Sequence, residues 1–157
     1  MLKTTIFLHG LDSSGKGSKG QYFARYFPQM LRPDFSGTLE ERLVQLDRHC
    51  AGLDNLWLIG SSFGGLMATC RAMARPEGIN RLILLAPALN FAGFSPPAQR
   101  LSIPTLLVIG ERDTVTPPNL VIPLAKATFA DLELRLVKDD HLLRASFPDI
   151  EWQRLLA

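Results

Sequence analysis

Ser62 stands at the centre of GSSFG, flanked by Gly60 and Gly64 at the spacing G-x-S-x-G, with Ser61 one place out of register. The spacing suits a nucleophile: a serine on a very tight strand-to-helix turn presents its hydroxyl, and the flanking positions leave no room for side chains. A hydroxyl is a poor nucleophile at neutral pH, so the chemistry also requires a base and a group that orients the base. His141, in DDHLL after LELRLVK, supplies the first, and Asp113, in GERDTVTPP after TLLVI, supplies the second. Asp113 has a competing use as a turn or capping residue beside Thr and Pro. Asp139 and Asp140 are rival acids, but a sequence neighbour rarely folds back onto its own histidine's ring, and both read as residues that solvate the loop. Of the 3 histidines, His49 falls at a helix end as surface or core filler and His9 reads as a turn residue stabilising its loop, which leaves His141 as the base.

The stretch TTIFLHGLDSSGKGS poses a different chemistry. Gly10 to Lys16 matches a phosphate-cradling G-x-x-x-x-G-K, but position 17 is Gly where a magnesium-binding hydroxyl belongs, and Ser18 comes one place late. None of LWLIG, LILLA and TLLVIG ends in the aspartate that such a site also needs. The other reading takes His9-Gly10 as the turn that ends a strand, with the Leu11 backbone N–H aimed at a developing negative charge and the Phe63 N–H, just after Ser62, as the second donor. Lys16, Lys19 and Arg25 gather nearby and read as a solvated loop and helix face.

These residues meet only if the loops that carry them lie together, as loops beyond the carboxyl ends of parallel strands do. TTIFL, LWLI, LILL and TLLVI are nearly continuous in apolar residues, the pattern of strands covered on both faces. LELRLV alternates, which predicts a strand near an edge, and residues 30 to 32 offer a weak further strand. Leu39, Leu43, Leu46 and Cys50 recur at helical spacing behind Thr38, whose Glu41 completes a capping box. Phe63 to Arg75 reads as a second helix and Thr116-Pro117 as the start of another. Strand alternating with helix predicts an α/β fold: an open, mostly parallel sheet of about six strands with helices on both faces.

Composition narrows the rest. A chain of 157 residues, 46% hydrophobic, suits one globular domain over residues 1–157 with a sizeable core. A net charge of +2 with scattered basic residues gives no footprint for nucleic acid. The 2 cysteines fall at helical apolar positions and read as free buried thiols, which fits a reducing, cytoplasmic setting. The apolar run at residues 4 to 8 is too short for a signal peptide or a membrane span. No metal or organic cofactor is required, and partners beyond a small-molecule substrate are not indicated.

Taken together, FLHGLDSS, GSSFGG, GERDTVTP and DDH resemble the α/β-hydrolase superfamily, in particular small, capless bacterial serine esterases. The resemblance spans nearly the whole chain. It implies a six-stranded, mostly parallel core and a triad on Ser62, His141 and Asp113, and the order Ser, Asp, His along the chain is the one that this superfamily uses. Cap domains of the superfamily follow the LILLAP strand, where this chain has only APALNFAGFSPPAQRLS before TLLVI. A cap-free enzyme acting on esters of small acyl groups is therefore expected. Phe91 and Phe94 in that segment either wall a small pocket beside Ser62 or pack the loop onto the sheet. A thioesterase, or a binding or regulatory protein with a vestigial triad, is the alternative.

Overall fold

In the computed structural model, which describes residues 2–157, the chain runs β1 (Thr4–Leu8), α1 (Ser18–Tyr26), α2 (Leu39–Cys50), β2 (Leu56–Ser61), α3 (Phe63–Ala74), β3 (Ile79–Leu85), β4 (Thr105–Gly110), α4 (Pro118–Thr128), β5 (Leu132–Val137), a short 3₁₀ turn at Phe147–Asp149, and α5 (Trp152–Leu155). The five strands lie side by side in chain order, β1-β2-β3-β4-β5. Every pairing is parallel, so all the carboxyl ends face the same way. The further strand expected at residues 30 to 32 is a single bridge: the Phe7 N–H donates to the Leu31 carbonyl (2.8 Å) and the Leu31 N–H to the Thr5 carbonyl (2.9 Å). Pro33 follows at once and cannot donate to a ladder, which limits pairing to this one step.

The continuous apolar runs are explained by two cores, one on each face of the sheet. Successive residues of a strand point to opposite faces. Ile6, Leu8, Leu56, Leu58, Leu82, Leu84, Leu107 and Ile109 thus meet α2, α3 and α4 through Leu46, Leu66, Met67 and Val121. Phe7, Ile59, Ile83, Leu85, Leu106 and Val108 face the other way, onto Phe23 of α1 and the Phe147–Trp152 segment. β5 carries only intermediate and exposed residues, as its alternation predicts for an edge strand.

The chain leaves β1 through α1 on one face, touches the outer side of β1 at Leu31, and returns through α2 on the other face to β2. A crevice opens where connections part to opposite faces, outside the carboxyl ends of the strands. The entry of α2 is fixed locally: the Glu41 N–H donates to the Thr38 hydroxyl and the Thr38 N–H to the Glu41 carboxylate, both at 3.2 Å. The segment between β3 and β4 holds no helix or strand of its own. Cys50 is buried and Cys70 half-buried, and both are free thiols. No helix among the described residues is long and apolar enough to cross a membrane.

α5 has only four residues and is too short to be stable by itself. Trp152 holds it, packed edge-on against Phe23 at 5.0 Å and against Phe147 at 5.3 Å, with its ring N–H on the Phe147 carbonyl at 2.9 Å. Trp152→Ala is expected to lower stability by about 3–5 kcal/mol in urea unfolding. An unchanged unfolding midpoint would mean that this layer contributes little to the core.

Candidate active site

Ser62 follows the last residue of β2 and caps α3 with φ 54° and ψ −115°. This backbone conformation is rare for any residue with a side chain and costs of order 1–3 kcal/mol. The surroundings impose it. A Cβ on Gly60 would collide with the Gly64 carbonyl, and one on Gly64 with the Leu8 carbonyl, so the first turn of α3 is pressed onto the ends of β1 and β2. The spacing of the two glycines around Ser62 is thus a steric requirement of the turn.

His141 lies beyond the edge strand β5, and its Nε2 is 3.0 Å from the Ser62 Oγ. Its Nδ1 is 2.8 Å from Asp113 Oδ2, in the loop after β4. The Asp113 side chain is fully buried while that of His141 retains 17% exposure, so the carboxylate is shielded from water and the imidazole reaches the cleft. A buried carboxylate needs its lone pairs occupied. Oδ1 of Asp113 accepts the N–H groups of Val115 and Thr116 at 2.9 and 2.8 Å, and Oδ2 accepts the Thr116 hydroxyl at 2.8 Å. With Nδ1–H directed at Asp113, Nε2 presents a lone pair to the serine.

The helix that Thr116-Pro117 announces does start there, but the Thr116 hydroxyl does not cap it. α4 begins at Pro118 behind Pro117, and the Thr116 hydroxyl is spent on Asp113, 3.2 Å from His141 Nδ1 and 3.3 Å from the Ala86 carbonyl. The D-x-x-T spacing was a legible signal for a side chain folding back on its own loop. Asp139 also differs from expectation. It is buried, and its carboxylate accepts the N–H groups of Asp140 and Ser146 at 2.8 and 2.9 Å, binding the His141 loop instead of solvating it. Burial pushes this carboxyl up, but the N–H groups of Ser146 and Asp140 outweigh it and hold it below the ordinary aspartate range.

The glycine loop after β1 lies against the serine: a Cβ on Gly10 would come 3.6 Å from Ser62 Cβ. His9 is buried beneath it, accepting the Phe35 N–H at Nε2 (2.9 Å), so that Nδ1 carries the hydrogen and donates to the Gly10 carbonyl at 2.6 Å. This fits a residue that stabilises its loop. No hydrogen bond among the described residues uses the N–H of Leu11 or that of Phe63, the first residue of α3. Both residues line the cleft that contains Ser62 and His141, a cavity of about 570 Å³. Phe91 lines it too, edge-on to Phe63 at 5.8 Å. Phe94 is not on its wall and packs against the core on the α3 face.

Lys19 corrects another expectation. It is half-buried on the cleft wall, and its ammonium donates to the Leu142 carbonyl at 2.9 Å, next to His141. Burial lowers its pKa, and nearby Arg144 lowers it further, while Asp139 acts in the opposite direction. Sequence patterning shows no sign of this contact, because α1 and the His141 loop are far apart in the chain.

No family model and no curated protein matches the chain. Solved structures do. A protein described as a YdeN-like hydrolase from Pectobacterium atrosepticum superposes with TM-score 0.76 at 26% identity, over 97% of this chain and 88% of that one. A hydrolase of the alpha/beta superfamily from Xanthomonas campestris gives TM-score 0.74 at 25% identity, over 92% and 91%. The chain has the α/β-hydrolase fold. Alpha/beta hydrolase domain-containing protein 10 from mouse, 18% identical, matches it over 99% of this chain and 88% of that one with TM-score 0.76. The description of the Pectobacterium and Xanthomonas proteins as hydrolases supports hydrolytic chemistry in general for this chain.

The strain at Ser62 generates a measurable expectation. Ser62→Gly removes the Cβ that makes φ 54° costly, and the relief exceeds the entropy that glycine adds to the unfolded chain. The variant should be more stable than the parent by about 1 kcal/mol in urea unfolding. A less stable Ser62→Gly would show that the turn is not strained.

Proposed function

We propose that the protein is a serine hydrolase that cleaves carboxylic esters of small acyl groups through an acyl-enzyme on Ser62. The observation that supports this reading best is the unbroken run of hydrogen-bond contacts from Ser62 Oγ through His141 to the buried Asp113, opening on a cleft. In this reading His141 Nε2 takes the Ser62 proton as Oγ bonds to the acyl carbon, and the carbonyl π electrons move to the oxygen. The Leu11 and Phe63 N–H groups then stabilise that oxyanion. Collapse of the tetrahedral intermediate breaks the bond to the alkoxide, which takes the proton from His141 as it leaves. Water enters next, loses its proton to His141, attacks the acyl carbon, and releases the acid and the Ser62 hydroxyl. Asp113 holds the imidazole in the required tautomer throughout, and Thr116 holds Asp113.

The reading predicts a sharp difference between adjacent serines. Ser62→Ala should lower hydrolysis of a nitrophenyl ester by about four orders of magnitude or more, whereas Ser61→Ala should retain much of it. Equal losses, or an active Ser62→Ala, would mean that another group is the nucleophile. Labelling of Ser62 by a fluorophosphonate probe checks the same point covalently.

Acyl size follows from the cleft wall. Phe63, Ala88 and Phe91 supply apolar surface beside Ser62, and the segment between β3 and β4 that carries Ala88 and Phe91 holds no helix or strand. Each methylene buried there contributes about 0.8 kcal/mol, and the gain ends where the wall ends. In a nitrophenyl ester series kcat/KM is expected to peak at short acyl chains and to decline for long ones. Acyl-CoA thioesters belong in the same screen. A rate that keeps rising to dodecanoyl or palmitoyl esters would reveal an apolar channel beyond the cleft.

A further inference from the structure

Arg42 is the cation in this molecule whose position most needs a reason. It sits on α2 directly after Glu41 of the capping box, its own N–H on the Thr38 carbonyl at 2.9 Å, and only 5% of the residue is exposed. None of the ion pairs among the described residues includes it. Burial lowers its pKa, and Asp12 acts in the opposite direction. A guanidinium nevertheless keeps its proton in proteins, so a charge is held here largely by backbone and ring.

Its partners are specific. Nε donates to the Gly37 carbonyl at 3.0 Å, which fixes the base of the fork on the turn that starts α2. Nη2 reaches the Leu11 carbonyl at 3.4 Å. The guanidinium carbon stands 5.3 Å from the centroid of the Phe63 ring, within cation–π range. Nη1 is buried without a partner. One planar group therefore touches both Leu11 and Phe63, the first through its carbonyl and the second through its side chain. Removing water from a cation costs several kcal/mol, and a fold keeps such a group where it serves more than packing.

Resting on the assignment of Leu11 and Phe63 as oxyanion donors, we propose that Arg42 is the positioning residue that sets the spacing between their two N–H groups. It does not touch the substrate. It holds the glycine loop by the Leu11 carbonyl and holds α3 by the Phe63 ring, so that the two donors converge before charge develops. Catalysis by preorganised donors is sensitive to displacements of about 1 Å, which can cost 100-fold in rate.

The test compares Arg42→Met and Arg42→Lys with the parent, using a short-chain nitrophenyl ester and two inhibitors. A trifluoromethyl ketone forms a hemiketal oxyanion on Ser62; the matching methyl ketone stays largely planar. Arg42→Met is expected to lower kcat about 10- to 100-fold with KM changed less than about twofold. Affinity for the trifluoromethyl ketone should fall by the same factor while that for the methyl ketone holds. Arg42→Lys keeps the charge but not the planar fork, and should recover only a fraction of the loss. If Arg42→Met does not fold, Phe63→Leu serves in its place: it retains the N–H and removes the ring face, and should give the same kcat-selective loss, smaller in size. Unchanged kcat in the folded variants, or equal loss of affinity for both ketones, would overturn the positioning role alone. A parent protein that neither hydrolyses the ester nor binds the trifluoromethyl ketone overturns the hydrolase reading, and the positioning role with it.

Discussion

The arrangement around Ser62 depends on one close approach, the first turn of α3 against the carboxyl end of β1. Gly64 meets the Leu8 carbonyl there with no space for a methyl group, and Gly60 meets Gly64. With that contact in place Ser62 stands at φ 54°, its hydroxyl 3.0 Å from His141 Nε2. The contact also brings the loop after β1 beside the start of α3, so that Leu11 and Phe63 line a single wall. Widening this approach by one methyl group would shift the hydroxyl, the helix start and the glycine loop together. The three non-glycine residues with positive φ among those described, Ser62, Ala86 and Leu143, all border the same cleft or its loops. Local strain in this molecule is thus concentrated where the strands end and held by the rigid sheet behind.

The second constraint is electrostatic. Asp113 is buried, yet every contact it makes comes from a donor: two backbone N–H groups, the Thr116 hydroxyl and the His141 ring. Its charge is stabilised by groups that exist before any substrate arrives, which fixes the orientation of the imidazole. Asp139 has a comparable role in the loop after β5, where the N–H groups of Asp140 and Ser146 converge on its carboxylate and tie down the segment that carries His141. One aspartate orients the ring, and the other orients the loop.

Much of this was legible in the sequence because it is local. Four continuous apolar runs fixed the central strands, the alternation of LELRLV fixed the edge, and the residues after each run named Ser62, Asp113 and His141. The capping box at Thr38 was legible for the same reason, since donor and acceptor sit three residues apart. Features that require two distant segments were not. Lys19 bonds a carbonyl more than a hundred residues away, at Leu142, and no periodicity encodes that. Arg42 reads as one more polar position on a helix until the glycine loop and the Phe63 ring close over it. The Thr116-Pro117 pair marks the start of α4, but it does not reveal that the Thr116 hydroxyl turns back onto Asp113. Phe91 and Phe94 share a segment and a chemistry, and only the path of the chain separates the one on the cleft wall from the one against the core.

The strands lie in the sheet in the order in which they occur in the chain. During synthesis each new strand can therefore pair with the edge left by the last, and no strand has to be inserted between two already joined. Ser62, Leu11 and Phe63 belong to the first half of the chain to emerge, while Asp113 and His141 come from loops after β4 and β5. The Phe147–Trp152 segment, which packs on Phe23, emerges after all of these. In a growing chain the Ser62 turn is thus complete before the residue that its hydroxyl contacts, His141, has been made.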